Sequence, residues 1–587
     1  MRECLSRFFI ILLTAVPAWG AEASIAPQPR QPGEELLVTQ NEIGHYGGRI
    51  VTALRSEPKT LNPAIATDGP SREVIGRTMA DLIHINRVSQ QTEPALAKSW
   101  KASPDGLRYT LRLRKGLRFS DGRPCDADDV VFSFQVYLDE KAHSTQRDLL
   151  IVGGKPIAVR KIDPLTVVFE LSQPYAAAER LFDNFAILPK HILEKPYQEG
   201  RLAQVWGVSS PPAEIVGLGP FRLKEYVPGE RMVLQRNPYY WKADRKGERL
   251  PYLDELVFLF VASDDAQVIR FQAGDTDVLS RMSAENYSAL EQKQQERGFR
   301  LFDLGPGLEY NFLFFNLNTN LPKDSTIARK QSWFRDVRFR QAVSNAIDRE
   351  GIVRLVYRGH AAPLWTDVTP AYRLWINPAI PHAPRSLEKS RELLKAAGFS
   401  WKSDGTLVDS SGNPVEFSIV TSASNAQRTQ MATIIQDDLK QVGMRVQVVP
   451  LEFRAVLDRV FQTHDFEASV LGLGGGDADP NTKMNVLVSS GASHMWDLGE
   501  SRPATPWEAE IDRLMKQQLS TLKFEERKRL YGRVQQLMYE NLPLICVVSP
   551  NILVGAKNTV GNFQPAILDH YTLWNVDQLF VNSLGKH

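Results

Sequence analysis

Segment 95–134 constrains the fold most, because it combines a hairpin with a helix start in forty residues of continuous pattern. Apolar and polar residues alternate over 109–114, the period of a half-buried strand, after the Pro-Asp-Gly turn at 104–106. Asp126 stands three residues before Asp129 and ahead of an apolar run, which predicts a capped helix. Neither the composition nor the spacing is typical of a catalyst, so the segment indicates a scaffold for recognition.

Helical periodicity is clearest in the second half of the chain. Apolar residues recur at helical spacing after Asp336, and a second helix is predicted to open at Ser386. A third is predicted to end at Gly443, ahead of a strand at 446–449. This mixed order of helices and strands predicts an α/β protein with sheets covered by helices.

Length and charge exclude some classes of protein. A chain of 587 residues is too long for one hydrophobic core and should divide into two or more domains. Lys and Arg total 70 against 68 for Asp and Glu, so the formal charge is +2. Since nucleic acid binding needs clustered cations, we expect no nucleic acid partner.

The N-terminus predicts export. Arg2 and Arg7 precede or flank an apolar run at 8–16, and small residues follow at 18 and 20. The run is about half the roughly 20 residues that a membrane span needs. We therefore predict a cleavable signal peptide at 1–23 and a periplasmic location, with an uncleaved anchor as the alternative. Residues 24–37 contain three prolines and predict a flexible leader.

Cysteine and histidine give no metal motif. Cys125 and Cys546 are the cysteines beyond the signal, and two buried free thiols are favoured over a disulfide because Cys546 lies in an apolar run. No two histidines stand at helix-turn spacing with a carboxylate, so His191 and His494 are interpreted as surface or supporting groups. We expect no metal site and no cofactor.

Catalytic motifs are weak. Zinc-protease, phosphate-loop and nucleophile-elbow patterns are missing from the sequence. Ser386 and Ser520 each begin an S-x-x-K match, but without a K-T-G they are interpreted as helix caps. A secreted hydrolase is kept as the alternative from another class.

Segment 95–134 resembles the extracytoplasmic solute-binding proteins of ABC importers known as family 5, which carry dipeptides, oligopeptides and nickel. Further blocks resemble the family's signatures in the family's order: EPKTLNPA at 57–64, GLGPF at 217–221, RNPYYW at 236–241, FQAGD at 271–275, and DVRFRQA through AIDR at 336–349. The resemblance covers nearly the whole chain after the signal.

The resemblance implies a two-lobed periplasmic-binding-protein-like fold of type II, with mixed sheets covered by helices and a subdomain inserted in the first lobe. Its boundaries here would be 38–62, 218–306 and 547–587 for the main part of lobe I, 63–217 for the insertion, and 307–546 for lobe II. It implies a monomer without catalytic activity that captures peptides and delivers them to a permease with a cytoplasmic ATPase. A nickel chelate, an opine or an oligosaccharide is the alternative ligand.

The glycine-rich segment 471–480 resembles the family's ligand loop in the second lobe. In peptide-binding members an aspartate four residues before the proline takes the peptide's ammonium; here that place is Gly476, and the acid follows at Asp477. We predict that Asp477 binds the ammonium, with Asp479 as the alternate acid. Turn capping by both aspartates is the competing interpretation.

Aromatic and amide side chains are predicted to complete the site, since flat rings stack on ligands at small entropic cost. Core packing is the alternative for each of them. The candidates are Trp365, Trp375, Trp496, Tyr310 and Asn311.

Overall fold

The structure is a computed structural model that describes residues 25–319, 321, 326–500 and 502–582. The predicted signal peptide lies outside these residues. Among the described residues, no helix has both the length and the apolar character needed to cross a membrane.

The strands, in chain order, are β1 (Leu37–Val38), β2 (Arg49–Leu54), β3 (Ile83–Ile85), β4 (Thr92–Pro94), β5 (Ala97–Ala102), β6 (Arg108–Leu113), β7 (Ile151–Val152), β8 (Lys155–Pro156), β9 (Ala158–Asp163), β10 (Thr166–Glu170), β11 (Phe221–Val227), β12 (Arg231–Arg236), β13 (Lys242–Ala243), β14 (Glu255–Phe260), β15 (Val278–Leu279), β16 (Phe299–Pro306), β17 (Tyr310–Phe315), β18 (Ala361–Pro363), β19 (Ser400–Trp401), β20 (Leu407–Val408), β21 (Glu416–Ser422), β22 (Arg445–Leu451), β23 (Ala468–Leu473), β24 (Ile545–Lys557), β25 (Val560–Gly561) and β26 (Phe580–Val581). The helices are α1 (Gly69–Thr78), α2 (Ala127–Leu138), α3 (Ala178–Leu181), α4 (Lys190–Gln198), α5 (Asp264–Ala273), α6 (Ala284–Glu291), α7 (Gln294–Arg297), α8 (Thr326–Arg335), α9 (Val337–Ala346), α10 (Arg349–Tyr357), α11 (Leu387–Ala396), α12 (Ala426–Lys440), α13 (Phe453–Asp458), α14 (Met484–Leu487), α15 (Pro506–Ser520) and α16 (Phe524–Asn541).

Three larger sheets organise the chain. The order β11-β12-β14-β2 and the order β5-β6-β10-β9 form two four-stranded sheets, which we assign to the first lobe. The third sheet has the order β15-β24-β17-β23-β21-β22, and its part from β17 to β22 belongs to the second lobe. This mixed α/β architecture in two lobes agrees with the fold class expected from the sequence.

The long strand β24 connects the two lobes. Its first half pairs with β17, where Phe312 lies opposite Cys546, and its second half pairs with β16, where Leu301 lies opposite Gly555. The chain therefore passes between the lobes along β16 and β17 and returns along β24. Every residue of β17 is buried, so this crossing also forms part of the core.

The local signals read from the sequence are confirmed in the structure. β5 and β6 form the expected antiparallel hairpin, and Asp126 and Asp129 form a reciprocal capping box at the start of α2. Asp336 and Ser386 cap α9 and α11 through their side chains. Gly443 has φ +88°, the left-handed conformation expected between α12 and β22. Cys125 and Cys546 are both buried and free.

The structure differs from the sequence prediction of a flexible leader. Residues 25–37 lie against the first lobe, where Arg236 donates to the carbonyl of Ile25 at 2.8 Å. Arg249 donates to the carbonyl of Gln28 at 2.9 Å and to the buried Glu34 carboxylate at 2.7 Å. Proline-rich sequence lacks helix and strand periodicity, but two buried arginines bind its backbone and its acid, so it is ordered without either.

Candidate functional site

A cavity of about 780 Å³ lies where three parts of the chain meet. The first lobe contributes α1 and residues from the loops around β3 and α3. The second lobe contributes residues 476–485, which follow the glycine run after β23, and the C-terminal segment contributes residues 569–577. This segment belongs to the first lobe, since Lys242 pairs with Asp577 at 3.0 Å and Tyr240 donates to the same carboxylate.

The two lobes contact each other beside this cavity. Gln90 donates to the carbonyl of Ala371 at 2.9 Å, and the amide of Ala176 donates to the carbonyl of Leu519 at 2.7 Å. The side chains of Tyr175 and Asn481 are also hydrogen-bonded. The cavity therefore lies between lobes that contact each other at several points.

Asp477 lines the cavity and is held by an arginine of the opposite lobe. Nε of Arg180 donates to Oδ2 of Asp477 at 2.5 Å, and Nη2 of Arg180 donates to Oδ1. The same guanidinium also donates to the carbonyl of Gln90 at 2.9 Å. Both oxygens of Asp477 thus face a cation that belongs to the protein itself.

Asp479 also lines the cavity wall but points into the second lobe. It receives two hydrogen bonds from Arg527, at 2.6 and 2.7 Å, and it is 3% exposed. Its side chain also accepts the amide of Asn481 and caps the short turn Pro480–Lys483. Asp479 thus caps a turn, as the competing interpretation expects, and contact of this acid with a ligand stays a prediction.

Asp569 is an exposed carboxylate in the same cavity, and it has no ion-pair partner among the described residues. A Cβ atom added to Gly476 would lie 3.5 Å from Oδ2 of Asp569. The carboxylate of Asp569 therefore lies close to where a side chain at position 476 would begin. Arg72 on α1 and Asp148 are likewise exposed and without an ion pair in the described part of the chain.

The first lobe brings a histidine between two aspartates. Nδ1 of His84 lies 3.1 Å from Asp183 and 3.5 Å from Asp81, and Arg87 holds the other oxygen of Asp183 at 2.9 Å. Burial alone would lower the pKa of His84, but hydrogen bonds to the two carboxylates outweigh it and raise the pKa to about 9. Next to it, burial raises the pKa of Asp81.

Five of the seven predicted site residues do not line this cavity. Trp496 is completely buried and donates to Glu508, while Trp375 packs against the guanidinium of Arg527. Trp365 stacks on His382 at 4.3 Å.

The remaining two, Tyr310 and Asn311, are buried at the start of β17. The ring of Tyr310 lies 3.8 Å from the ammonium of Lys483, and Asn311 accepts a hydrogen bond from Arg428 at 2.8 Å. Core packing, the alternative interpretation, describes the four buried candidates Trp375, Trp496, Tyr310 and Asn311, whereas Trp365 is half-buried and donates to the carbonyl of Ala383 at 3.1 Å.

The first-lobe side of the cavity could hardly be predicted from the sequence. His84 lies between two buried isoleucines in β3, which predicts that it faces away from them but assigns it no role. Arg180 and Asp569 lie in segments of irregular sequence, and Asp569 is almost a hundred residues after Gly476. Only the three-dimensional structure brings these groups together.

Two lobes joined by crossing strands, with a charged cavity between them, are typical of proteins that bind a small solute between their lobes. The chain belongs to the bacterial extracellular solute-binding proteins of family 5, whose model for the middle region matches residues 91–494.

The sequence similarity to known proteins extends over nearly the whole chain. A probable ABC transporter-binding protein of Deinococcus radiodurans is 30% identical over 560 residues, covering 91% of this chain and 92% of that protein. The oligopeptide-binding protein AppA of Bacillus subtilis is 26% identical, covering 86% and 87%. The solved structure of AppA with a nonapeptide has a TM-score of 0.69 at 24% identity and covers 92% of this chain and all of that one.

Proposed function

We propose that this protein is the periplasmic solute-binding component of an ABC importer and that it captures short peptides between its lobes. The cavity carries the proposal: residues of both lobes line it, and it presents the exposed carboxylate of Asp569 and the exposed guanidinium of Arg72, neither of which forms an ion pair among the described residues. A peptide in water is a zwitterion, so it offers one charge to each. The cavity volume lies within the roughly 300–1,000 Å³ of small-molecule sites, which favours short peptides.

The ammonium of the peptide is bound by Asp569 in this proposal, in place of Asp477. Asp477 already faces Arg180 with both oxygens, so a second cation would have to share that carboxylate. Asp569 approaches the position of Gly476 from the C-terminal segment with its Oδ2, while Tyr571 donates to its Oδ1 at 3.4 Å, so Oδ2 is the oxygen proposed to accept the ammonium. Asp569, from another part of the chain, then binds the ammonium in place of the acid that is missing at position 476.

The carboxylate of the peptide pairs with Arg72. This residue lies on α1, one turn before Gly76, whose Cα faces His570 at the cavity wall. A guanidinium binds a carboxylate through two parallel hydrogen bonds, which also fixes the direction of the peptide.

Closure couples binding to transport. A solute between the lobes stabilises the closed form, and a permease with its cytoplasmic ATPase recognises that form. The protein itself catalyses no reaction in this proposal and acts as a monomer. In support, the hydroxyl of Ser386 caps α11, and the hydroxyl of Ser520 donates to backbone carbonyls of α15, so neither serine is placed as a nucleophile.

Calorimetry with Ala-Ala, Ala-Ala-Ala and their N-acetylated forms tests the proposal. We expect binding of a free-amine peptide, with acetylation or Asp569→Asn each weakening it by about 2–5 kcal/mol. The two losses should not add, because both changes remove the same ion pair.

Asp148→Asn is the matched control, since Asp148 is another exposed and unpaired acid of the same cavity. It should leave the preference for a free amine unchanged. Equal binding of acetylated and free peptides would contradict an ammonium site, and loss of the preference in Asp477→Asn alone would return the role to Asp477. If none of the peptides bound and another solute copurified with the protein, the peptide proposal would be contradicted.

A further inference from the structure

A second group of titratable side chains lies inside the second lobe, away from the cavity. Three of its members, His494, Asp497 and Glu500, lie in one loop. The fourth, Glu508, lies in the first turn of α15. All four side chains are buried, and the ligand atoms of His494, Glu500 and Glu508 lie within 4.8 Å of one another.

The hydrogen bonding of His494 defines its tautomer. Nδ1 lies 3.0 Å from the carbonyl oxygen of Val486, and a carbonyl can only accept, so Nδ1 carries the hydrogen. In the neutral imidazole, Nε2 then presents a lone pair. It lies 3.7 Å from Oε1 of Glu508 and has no hydrogen-bond partner among the described residues. Histidines that bind metal ions typically donate their other ring nitrogen to a backbone carbonyl in this way.

The carboxylates around Nε2 form no ion pair with an arginine or lysine of the described residues, although Arg335 and Arg340 are near enough to act electrostatically on Asp497 and Glu508. Trp496 and Thr505 donate to Glu508 at 3.0 and 2.7 Å, which leaves room at Oε1 for a further contact. Both oxygens of Glu500 are buried and have no hydrogen-bond partner in the described part of the chain.

A buried carboxylate without a partner is strongly unfavourable, and an imidazole lone pair facing two carboxylates adds repulsion. A cation between them removes both costs. One imidazole nitrogen and carboxylate oxygens form a donor set that suits zinc better than calcium or magnesium, which prefer oxygen alone.

We propose that His494, Glu500 and Glu508 bind a divalent metal ion of the zinc type, which holds the loop 494–500 against the start of α15. Two carboxylates balance the charge of the ion, and the neutral imidazole completes the set. The absence of helix-spaced histidine pairs led the sequence prediction away from His494, because here one ligand comes from a helix and two from a loop.

The test uses the full mature chain. Protein purified without chelators is examined for metal content, then stripped with EDTA and titrated with ZnCl₂ by calorimetry and thermal unfolding. We expect equimolar zinc, and a rise in Tm of about 5 °C when zinc is well above its dissociation constant.

Variants separate the metal from its alternatives. Glu500→Gln and His494→Gln should each abolish the zinc-dependent rise in Tm. Glu510→Gln is the matched control, because Glu510 lies on the same helix but pairs with Arg513 at the surface, and it should keep the response.

The alternative to a metal is a proton shared between Asp497 and Glu500. In that case the native protein lacks metal, zinc leaves the Tm of the wild type unchanged, and Glu500→Gln unfolds at the same or a higher temperature. Any of these results overturns the proposal. Loss of zinc binding in His84→Gln, with retention in Glu500→Gln, would also overturn it by placing the ion at the cavity.

Discussion

Asp477 and Asp479 lie two residues apart, and each is held by two hydrogen bonds from one arginine, yet the two ion pairs differ in what they connect. Asp479 and Arg527 both belong to the second lobe, and their side chains are only 5% and 6% exposed. Asp477 belongs to the second lobe and Arg180 to the first, and these side chains are 17% and 19% exposed.

The two ion pairs have different roles because one lies within a lobe and the other connects two lobes that can move relative to each other. In the proposed hinge motion, Arg180 and Asp477 would part and both be hydrated, so their attraction would contribute to closure. Arg527 and Asp479 belong to one lobe and would stay paired, so their attraction contributes to the stability of the second lobe. The same chemistry therefore has different roles, and the role is decided by whether the partner lies in the same rigid body.

Asp479→Asn should have the largest effect. It leaves the guanidinium of Arg527 buried without a counterion, which should lower the free energy of unfolding by about 3–5 kcal/mol. Urea unfolding followed by circular dichroism measures this loss.

The control replaces both partners. In Asp479→Leu with Arg527→Met no charge remains buried, so much of the lost stability should return. A cost of Asp479→Asn that is no larger than that of Asp477→Asn would remove the distinction between the two pairs.

Much of the fold could be predicted from the sequence, because it is determined by signals within short segments. The hairpin β5-β6, the capping box of α2 and the end of α12 at Gly443 each depend on neighbouring residues. The ordered leader could not be predicted, since the arginines that hold it lie more than two hundred residues away.

The site depends on contacts between distant segments, and so most of it could not be predicted. The resemblance pointed to the loop with Asp477 and Asp479, and both line the cavity; ligand binding by either acid stays a prediction. It gave no partner for either acid, because Arg180 approaches from the other lobe and Arg527 follows Asp479 by 48 residues in the sequence. Large aromatic residues in loops suggested ligand contact, but Trp496 has an acid partner in the interior and is packed there.

A smaller effect on the free energy of unfolding should depend on pH at the cavity but not in the interior of the second lobe. The pKa of His84 is raised to about 9 in the folded protein, above its ordinary 6.5. A raised pKa stabilises the fold fully below about 6.5, and this contribution is lost as pH rises through about 9. We expect a loss of at most about 3 kcal/mol between pH 7 and about pH 10.

Two variants make this comparison in chemical denaturation at both pH values. His84→Gln should be less stable than the wild type at pH 7 and nearly equal to it at the higher pH. Asp479→Asn should be destabilised by a similar amount at both, because its arginine partner stays charged. A His84→Gln variant with the same pH profile as the wild type would show that the imidazolium contributes nothing.

Arg180→Ala should have the smallest effect on stability, about 1 kcal/mol or less, since the pair it breaks is partly hydrated and separates when the lobes open. The same loss should act on closure, so that every solute binds about fivefold more weakly, with or without a free amine. Asp477→Asn should match it, and the double variant should be no weaker than either single one, because both remove one interaction. Calorimetry with a free and an acetylated peptide measures these affinities. An effect of Asp477→Asn that is confined to the free amine would mean that this aspartate binds the ligand directly, and the contrast with Asp479 would then be one of ligand contact instead of lobe closure.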